Sequence, residues 1–432
     1  MTVQESLKRR NFDDPEVEND VKLSRFLLKE RKYDKQFSHI YYQRLMAIKP
    51  HLSKLAEKAW GAGSKAPKYS DKVLEVKGGK LSYLVGTIYA NMDAKPSIID
   101  DVKKDLWVVN PPQTEKYFKK DAGFSIEDDS GRMKIFGHVL QNYNLVTGAV
   151  VALLGKESTS GEFEVEEVIL PGQLEQSPII GEEEPRYFAF ASGLNFGENN
   201  NGSLELLLEF LLGGFDIGNI KSRDIIKVVV AGNIYGPLNP KESYKDPTSK
   251  IDCFLNQVCQ SIPVYLIPGA NDPTTRALPQ QPLHSGLFNA TNSLPTLHLA
   301  SNPLDVELMG LRIMGTAGQP INDLKKCGSD EVTSLDWLEA TLKFGHFAPT
   351  SPDTLYCYPY SNQDPFVLTA CPHIFFAGNQ DEFATRMIAG DNGQQTRLIT
   401  IPSFSTSGQI VLVEASTLAT TLIHVKPCIG PQ

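Results

Sequence analysis

Four short turns carry the residues on which chemistry could be built: Ser192-Gly193-Leu194, Gly232-Asn233, Gly269-Ala270-Asn271-Asp272 and Gly378-Asn379-Gln380-Asp381. Each follows an apolar, strand-like run, "YFAFA", "IIKVVVA", "VYLIP" and "HIFFA". In layered α/β sheets, ligands gather beyond the carboxyl ends of strands. Turns rich in Asp, Asn and His at such ends can hold a pair of divalent metals and hydrolyse a phosphoester. A binuclear site offsets two dications with carboxylates and fills the remaining positions with imidazole or hard oxygen donors. Here the turns contain two carboxylates, Asp272 and Asp381, and no histidine.

The elements that must position these turns are readable from periodicity. Tyr187 onward alternates strand and helix: "SLELLLEFLLGG" predicts a helix with Ser203 as N-cap and Gly213 as its stop, and "DPTSKIDCFLNQVCQ" a second with Asp246 as N-cap. "MGLRIMGT", a helix over 331–343, and strands near 373–377, 397–401 and 410–413 complete a layered α/β domain over 182–432. Upstream, "LSYLVGTIYA", "DLWVVN", "RMKIFGHVL", "GAVVALLGKE" and "EFEVEEVILPG" predict about five strands within 81–181. That density with few helical signals fits a small barrel, of which the OB-fold is the five-stranded kind. Its aromatics Tyr83, Tyr89, Trp107, Phe136 and Tyr143 fall at alternating positions and are expected in a core or protein contact rather than stacked on bases. Residues 35–80 read as helical, with one helix stopped at Pro50 and a second beginning at Leu52, and 181–185 read as a linker. Residues 1–34 form a charge-rich segment, expected to be loose or partly helical.

The chain has 432 residues, 41% hydrophobic and 22% charged, and no apolar run long enough for a membrane span. The N-terminus lacks an apolar signal region, so a soluble, intracellular protein without a membrane partner is expected. Residues 1–80 hold 18 Lys/Arg against 11 Asp/Glu, leaving 24 against 40 for the rest. So acidic a body repels phosphate backbones over most of its surface, which makes direct DNA contact weak at most. The six scattered cysteines have no zinc-site spacing and read as buried free thiols. No P-loop, G-x-S-x-G elbow or H-E-x-x-H occurs.

In spacing and strand context the four turns resemble the calcineurin-like metallophosphoesterase pattern, Asp-x-His, Gly-Asp, Gly-Asn-His-Asp/Glu and Gly-His-x-His. Carried over residue by residue, Ser192 stands at the first Asp, Leu194 at its His, and Asn233 at the metal-bridging Asp. Ala270 and Asn271 stand at the Asn-His pair, Asp272 matches, and Asn379 and Asp381 replace the two last His. Losing both anionic ligands of the first two turns leaves metal charge uncompensated, and Asn271 cannot supply a proton. A barrel followed by such a stripped domain resembles the B-subunit family of replicative DNA polymerases, and within it the delta small subunits, over nearly all of the chain from about residue 34. "LPQQPLH", "PTSPDTLYCYP", "VVVAGNIYGP" and "CPHIFFAGNQDEF" carry the likeness.

The resemblance implies a nuclear, non-catalytic scaffold without metal or cofactor. It would bind the cysteine-rich C-terminal module of the delta catalytic subunit and a third, clamp-binding subunit, and could be shared with the polymerase zeta catalytic subunit. In the Pro-rich loops 273–288 and 349–365, Leu283, Phe288, Tyr356, Tyr358 and Tyr360 are the candidate partner contacts, although a loop folded back on its own domain would read the same. Two alternatives stay open. One is a residual metal-dependent phosphodiesterase or nuclease using Asp272 and Asp381, the other a single-stranded DNA binder acting through the barrel.

Overall fold

The computed structural model describes residues 25–61, 66–92, 116–117, 123–179, 185–198, 202–218, 220–237 and 245–426. The predicted strand "DLWVVN" with Trp107, and most of the linker 181–185, lie outside these residues. The chain forms two compact units: one contains 31–174 and 320–370, and the other contains the described residues of 1–30, 175–319 and 371–432. Residues 320–370, which the sequence reading puts in the second domain, thus group with the barrel.

In the barrel unit, a closed five-stranded sheet forms from β2 (Leu81–Ala90), β3 (Phe124–Glu127), β4 (Arg132–Phe136), β5 (Val150–Glu157) and β6 (Phe163–Ile169). The order is β2-β3-β4-β6-β5, and a β2–β5 pairing shuts it; β1 (Lys68–Tyr69) adds to β2. Strand alternation fills the interior with Met133 and Ile135 while Arg132, Lys134 and Phe136 face out. Phe136 therefore lies outside the barrel core; Tyr83 is buried, and Tyr89 and Tyr143 are half-buried.

Helix α1 (Ser38–Trp60) runs unbroken through Pro50, where the sequence predicts a stop. A proline inside a helix costs ~3 kcal/mol and removes one backbone donor. The helix persists because Leu45, Ile48, Leu52, Ala56 and Trp60 bury a stripe against Tyr83, Val85, Val150, Ala152 and Leu154 of the barrel, and the stripe continues on both sides of the proline.

The predicted helix near 331–343 spans Ser334–Lys343, and Thr333 caps it. Its hydroxyl accepts from Asp336 N at 3.2 Å, while Asp336 Oδ2 accepts from Thr333 N at 3.2 Å. Thr333→Ala is expected to cost about 1 kcal/mol and to lower the melting temperature of this unit by about 2–4 °C. A calorimetric scan with no shift would contradict the capping role.

The second unit is a two-sheet sandwich. Its first sheet contains β7 (Tyr187–Ala191), β8 (Ile225–Ala231), β9 (Val264–Ile267), β10 (Leu297–Leu299), β16 (Gln409–Glu414) and β17 (Thr420–His424), in the order β10-β9-β8-β7-β16-β17. The second contains β11 (Leu304–Leu308), β12 (Leu311–Thr316), β13 (Ile374–Gln380), β14 (Ala384–Ala389) and β15 (Gln395–Pro402), in the order β11-β12-β13-β15-β14. Strand β7 shows why both faces are covered. Phe188 and Phe190 pack between the sheets with Val229, Ile267, Ile313, Phe376 and Ile399. Ala189 and Ala191 face the opposite side, where α2 (Ser203–Leu212) and α3 (Lys245–Cys259) contribute Leu207, Phe210, Ile251 and Leu255. Gly213 stops α2 in the left-handed conformation as expected, but Gly202 occupies the cap position and Ser203 is the first helical residue.

Residues 25–30 are held, not loose. Phe26 is buried, Gln281 Nε2 donates to Phe26 O at 3.0 Å, and Leu28 N donates to Gln281 Oε1 at 2.9 Å. Arg25 Nη1 donates to Asp305 Oδ2 at 2.6 Å, and Arg312 reaches the same carboxylate through Nε at 2.9 Å and Nη2 at 2.8 Å. Among the described residues, no helix is long and apolar enough to cross a membrane.

Candidate functional site

Parallel pairing of β7, β8 and β9 brings their carboxyl ends to one edge of the sandwich unit, and β12, β13 and β15 bring theirs to the same place. The convergence is visible in the hydrogen bonds. Ser192 Oγ lies 3.1 Å from the carbonyl oxygens of Ile401 and Pro402, to which it donates, and accepts from Asn379 N at 2.9 Å. Asn379 Nδ2 donates to Ala231 O at 3.0 Å and to Ala317 O at 2.9 Å, tying the ends of β8 and β12. Asn233 Oδ1 accepts from Asn271 N at 3.0 Å.

Asp272 is the hub. Its Oδ2 accepts from Gly269 N at 2.7 Å and from Asn233 N at 2.9 Å, and its Oδ1 accepts from Tyr235 N at 2.9 Å. Burial pushes its pKa up to about 6 even though the backbone donors favour the charged form. Both oxygens are already engaged by the protein's own backbone. A metal there would have to displace bonds that shape the turn.

The backbone at these turns is demanding. Asn233 and Asn379 sit at φ 54° and 52°, in the left-handed region that asparagine tolerates better than most residues. Gly269 lacks room for a side chain, since a Cβ would lie 2.3 Å from Asn233 Oδ1 and 2.4 Å from Asn233 N. Asn233 and Asn379 therefore perform both conformational and hydrogen-bonding work at these turns.

The remaining positions contribute no donor set. Leu194 is buried in the apolar core under α2. Ala270 is exposed, and Asp381 is exposed at the end of β13. Among the described residues, no three His, Cys, Asp or Glu side chains converge in a way that could hold a metal ion. The donor chemistry at this edge does not fit a binuclear centre.

Further residues hold this edge that sequence reading did not single out. Gln280 Nε2 donates to Gly269 O at 3.0 Å, and its Oε1 accepts from Asn302 Nδ2 and Gln319 Nε2, each at 2.8 Å. Asn302 Oδ1 accepts from Ala317 N at 3.0 Å. Ser405 accepts from Asn195 Nδ2 at 2.9 Å. Gln280 lies in "LPQQPLH", a segment prominent in the sequence but without a spacing that announces its role.

Among the candidate partner contacts, Leu283 and Phe288 are buried in the sandwich unit's own core with Leu207 and Leu255. In the barrel unit, Tyr356 is 78% exposed. Tyr358 and Tyr360 are half-buried, packed edge to face at 5.0 Å, and Tyr358 Oη accepts from Lys32 N at 2.8 Å. The described cysteines are all free, and four of the five are buried. Burial pushes Cys259 up to about 12 and Cys357 up to about 11, so neither is a thiolate at neutral pH.

Comparison with known proteins gives two family matches. Residues 36–168 match the model described as the DNA polymerase delta subunit OB-fold domain, which identifies the barrel, and residues 188–385 match the model of the DNA polymerase alpha/epsilon B-subunits. The chain is 36% identical to the DNA polymerase delta small subunit of Oryza sativa subsp. japonica, covering 91% of this chain and 95% of the relative. Identity to the DNA polymerase delta small subunit of Saccharomyces cerevisiae is 32%, covering 92% and 91%. To the DNA polymerase II small subunit of Pyrococcus furiosus it falls to 22%, covering 64% of this chain and 49% of that one.

Proposed function

Since the chain belongs to the family of DNA polymerase delta small subunits, we propose that it acts within that polymerase as a non-catalytic scaffold built on a phosphoesterase-derived fold. In this reading it holds the cysteine-rich C-terminal module of the catalytic subunit together with the third, clamp-binding subunit, in nuclear DNA replication and repair. The same surfaces would allow sharing with polymerase zeta in translesion synthesis.

One observation carries the absence of catalysis. Asp272, the carboxylate at the matching motif position, has both oxygens committed to three backbone N–H groups, at 2.7, 2.9 and 2.9 Å. A hydrolytic centre needs that carboxylate facing a cation. Ser192 and Asn379, at two other ligand positions, are likewise occupied with carbonyl and amide groups of neighbouring strands. The fold is kept for its shape and its outer surfaces.

Two measurements on the intact chain test the reading. Elemental analysis after purification, followed by assay with a generic phosphodiester and Mn²⁺, is expected to give substoichiometric metal and no turnover above the buffer control. Co-expression with the catalytic subunit's C-terminal module is expected to give a stoichiometric complex by size-exclusion chromatography. Stoichiometric metal accompanied by turnover would overturn the scaffold reading, and failure to form the complex would remove its bridging part. Tyr356→Ala, at the most exposed candidate contact, is expected to weaken one of the two subunit interactions by about 1–2 kcal/mol, measured by calorimetric titration.

A further inference from the structure

Residues 25–28 meet the sandwich unit as a bound peptide meets its receptor: through one buried ring, one charge and one main-chain clamp. Phe26 is 1% exposed while Leu27 beside it is 42% exposed, so the apolar contact is concentrated on a single ring. Arg25 lies over that ring, its guanidinium carbon 5.0 Å from the centroid, and Nη1 donates to Asp305 Oδ2 of β11 at 2.6 Å. Gln281 supplies the clamp. Its Oε1 accepts from Leu28 N at 2.9 Å, and its Nε2 donates to Phe26 O at 3.0 Å.

The receptor side is complete without this segment. Asp305, its side chain 1% exposed, keeps both bonds from Arg312, at 2.9 and 2.8 Å, so departure of Arg25 orphans no buried carboxylate. Burial opposes ionisation of Asp305, yet Arg312 and Arg25 hold its carboxyl below the ordinary value. Gln281 stays placed as well. Its Nε2 also donates to Pro279 O at 3.1 Å, its N donates to Thr275 Oγ1 at 3.1 Å, and its O accepts from Thr274 Oγ1 at 2.6 Å. The two glutamines of "LPQQPLH" thus divide: Gln280 ties the strand-end turns together, and Gln281 faces the segment.

We infer that Asp305, Gln281 and the space filled by Phe26 form an exchangeable binding site for a peptide that presents an arginine followed directly by an aromatic residue. The chain's own residues 25–28 fill it in cis, and a partner segment of that chemistry takes it in trans by displacing them. The arginine pairs with Asp305 through a charge-assisted bond, the ring enters the space of Phe26, and Gln281 reads two main-chain groups. A tethered occupant competes as if present at ~1 mM, the effective concentration of a short linker. The cis segment therefore guards the site against weak competitors. The site does not depend on the scaffold role.

The probe is fluorescein-labelled Arg-Phe-Leu-Leu-Lys-Glu with blocked ends, the sequence of residues 25–30. The receptor is the full chain carrying Arg25→Ala and Phe26→Ala, which empty the site and leave Asp305 and Gln281 in place. Anisotropy is expected to show saturable micromolar binding, and the unaltered chain should bind about tenfold more weakly because its own segment competes. Adding Gln281→Ala should weaken binding about tenfold, for two lost hydrogen bonds. A peptide with alanine in place of phenylalanine should bind about thirtyfold more weakly. Hydrogen exchange of the unaltered chain needs no substitution: with unlabelled peptide at ~5 mM, above the effective concentration of the tether, the Leu28 amide should lose protection. No binding to the substituted chain at an unchanged melting temperature, equal affinity for the substituted and unaltered chains, or undiminished protection of Leu28 overturns the proposal. If the substituted chain fails to fold, the exchange measurement decides alone.

Discussion

Replacing Arg44 by methionine is expected to destabilise the barrel unit by about 3–5 kcal/mol, the cost of breaking a buried ion pair from one side. Arg44 is fully buried on α1. Its Nε donates to Asp364 Oδ2 at 2.8 Å, Nη1 to Gly148 O at 3.1 Å and Pro349 O at 2.6 Å, and Nη2 to Ser351 O at 2.5 Å. One guanidinium therefore joins the helix, the barrel loop at Gly148 and the 349–364 loop.

The opposite partner is equally committed. Asp364 Oδ1 accepts from Phe366 N at 2.9 Å, and Oδ2 also accepts from His346 Nε2 at 2.9 Å. His346 Nδ1 in turn accepts from Ala348 N at 3.0 Å, which places the ring proton on Nε2. Methionine would fill much of the volume but leave a buried carboxylate and three carbonyl oxygens short of donors. Lysine keeps the charge yet cannot reproduce the planar fork, so Arg44→Lys should recover only part of the loss.

Urea denaturation followed by signals from this unit measures the effect, and pH adds a second check. Burial opposes ionisation of Asp364, but His346 and Arg44 outweigh it and hold the carboxyl well below the usual range. Its contribution is therefore present above the unfolded carboxylate pKa of about 3.9 and is lost as pH falls through the lower folded value. The unaltered protein should lose stability on the acid side more steeply than Arg44→Met. A loss under about 1 kcal/mol would show that the network is dispensable.

The second large effect belongs to Asp272. Asp272→Ala is expected to cost about 3 kcal/mol at pH 5, because three N–H groups in a buried turn lose their acceptor. Its folded pKa, about 6, is above the unfolded value. The carboxyl's contribution is thus fully present below the unfolded pKa and is lost as pH rises through the folded one. The deficit of the variant should therefore narrow between pH 5 and pH 8. A flat or widening deficit across that interval would reject the raised pKa.

This result bears on how function is tested. Asp272→Ala removes the keystone of the turn, so any activity it abolished would be equally well explained by collapse of the strand-end geometry. Metal content and turnover of the unaltered chain discriminate where the variant does not.

Much of the architecture is legible from local pattern. The alternation in "RMKIF" specifies which side chains of β4 face inward, and the apolar runs ending in Gly-Asn or Gly-Ala-Asn-Asp mark where strands stop. That Ser192, Leu194, Asn233, Ala270 and Asn271 are not the ligand types of the pattern the turns resemble is likewise a property of the chain as written. What these residues do is not visible there. Asn379 bonds to Ala231 and Ala317, 148 and 62 positions away, and no local periodicity encodes such a pairing.

Residue types at each turn, the strand periodicity and the stripe along α1 are all present in the order of amino acids. That this stripe carries the helix through Pro50 emerges only on packing, because burial of a continuous apolar face outweighs one lost hydrogen bond. Packing also joins residues 320–370 to the barrel through Arg44 and Asp364, 320 positions apart. Phe136 shows the same division: the alternating pattern places it on the outer face of its strand, but whether that face is covered depends on what else packs there. Interior composition follows from local pattern, whereas coverage and long-range polar pairing depend on the whole packed chain, since one buried charge must find its partner wherever the fold brings it.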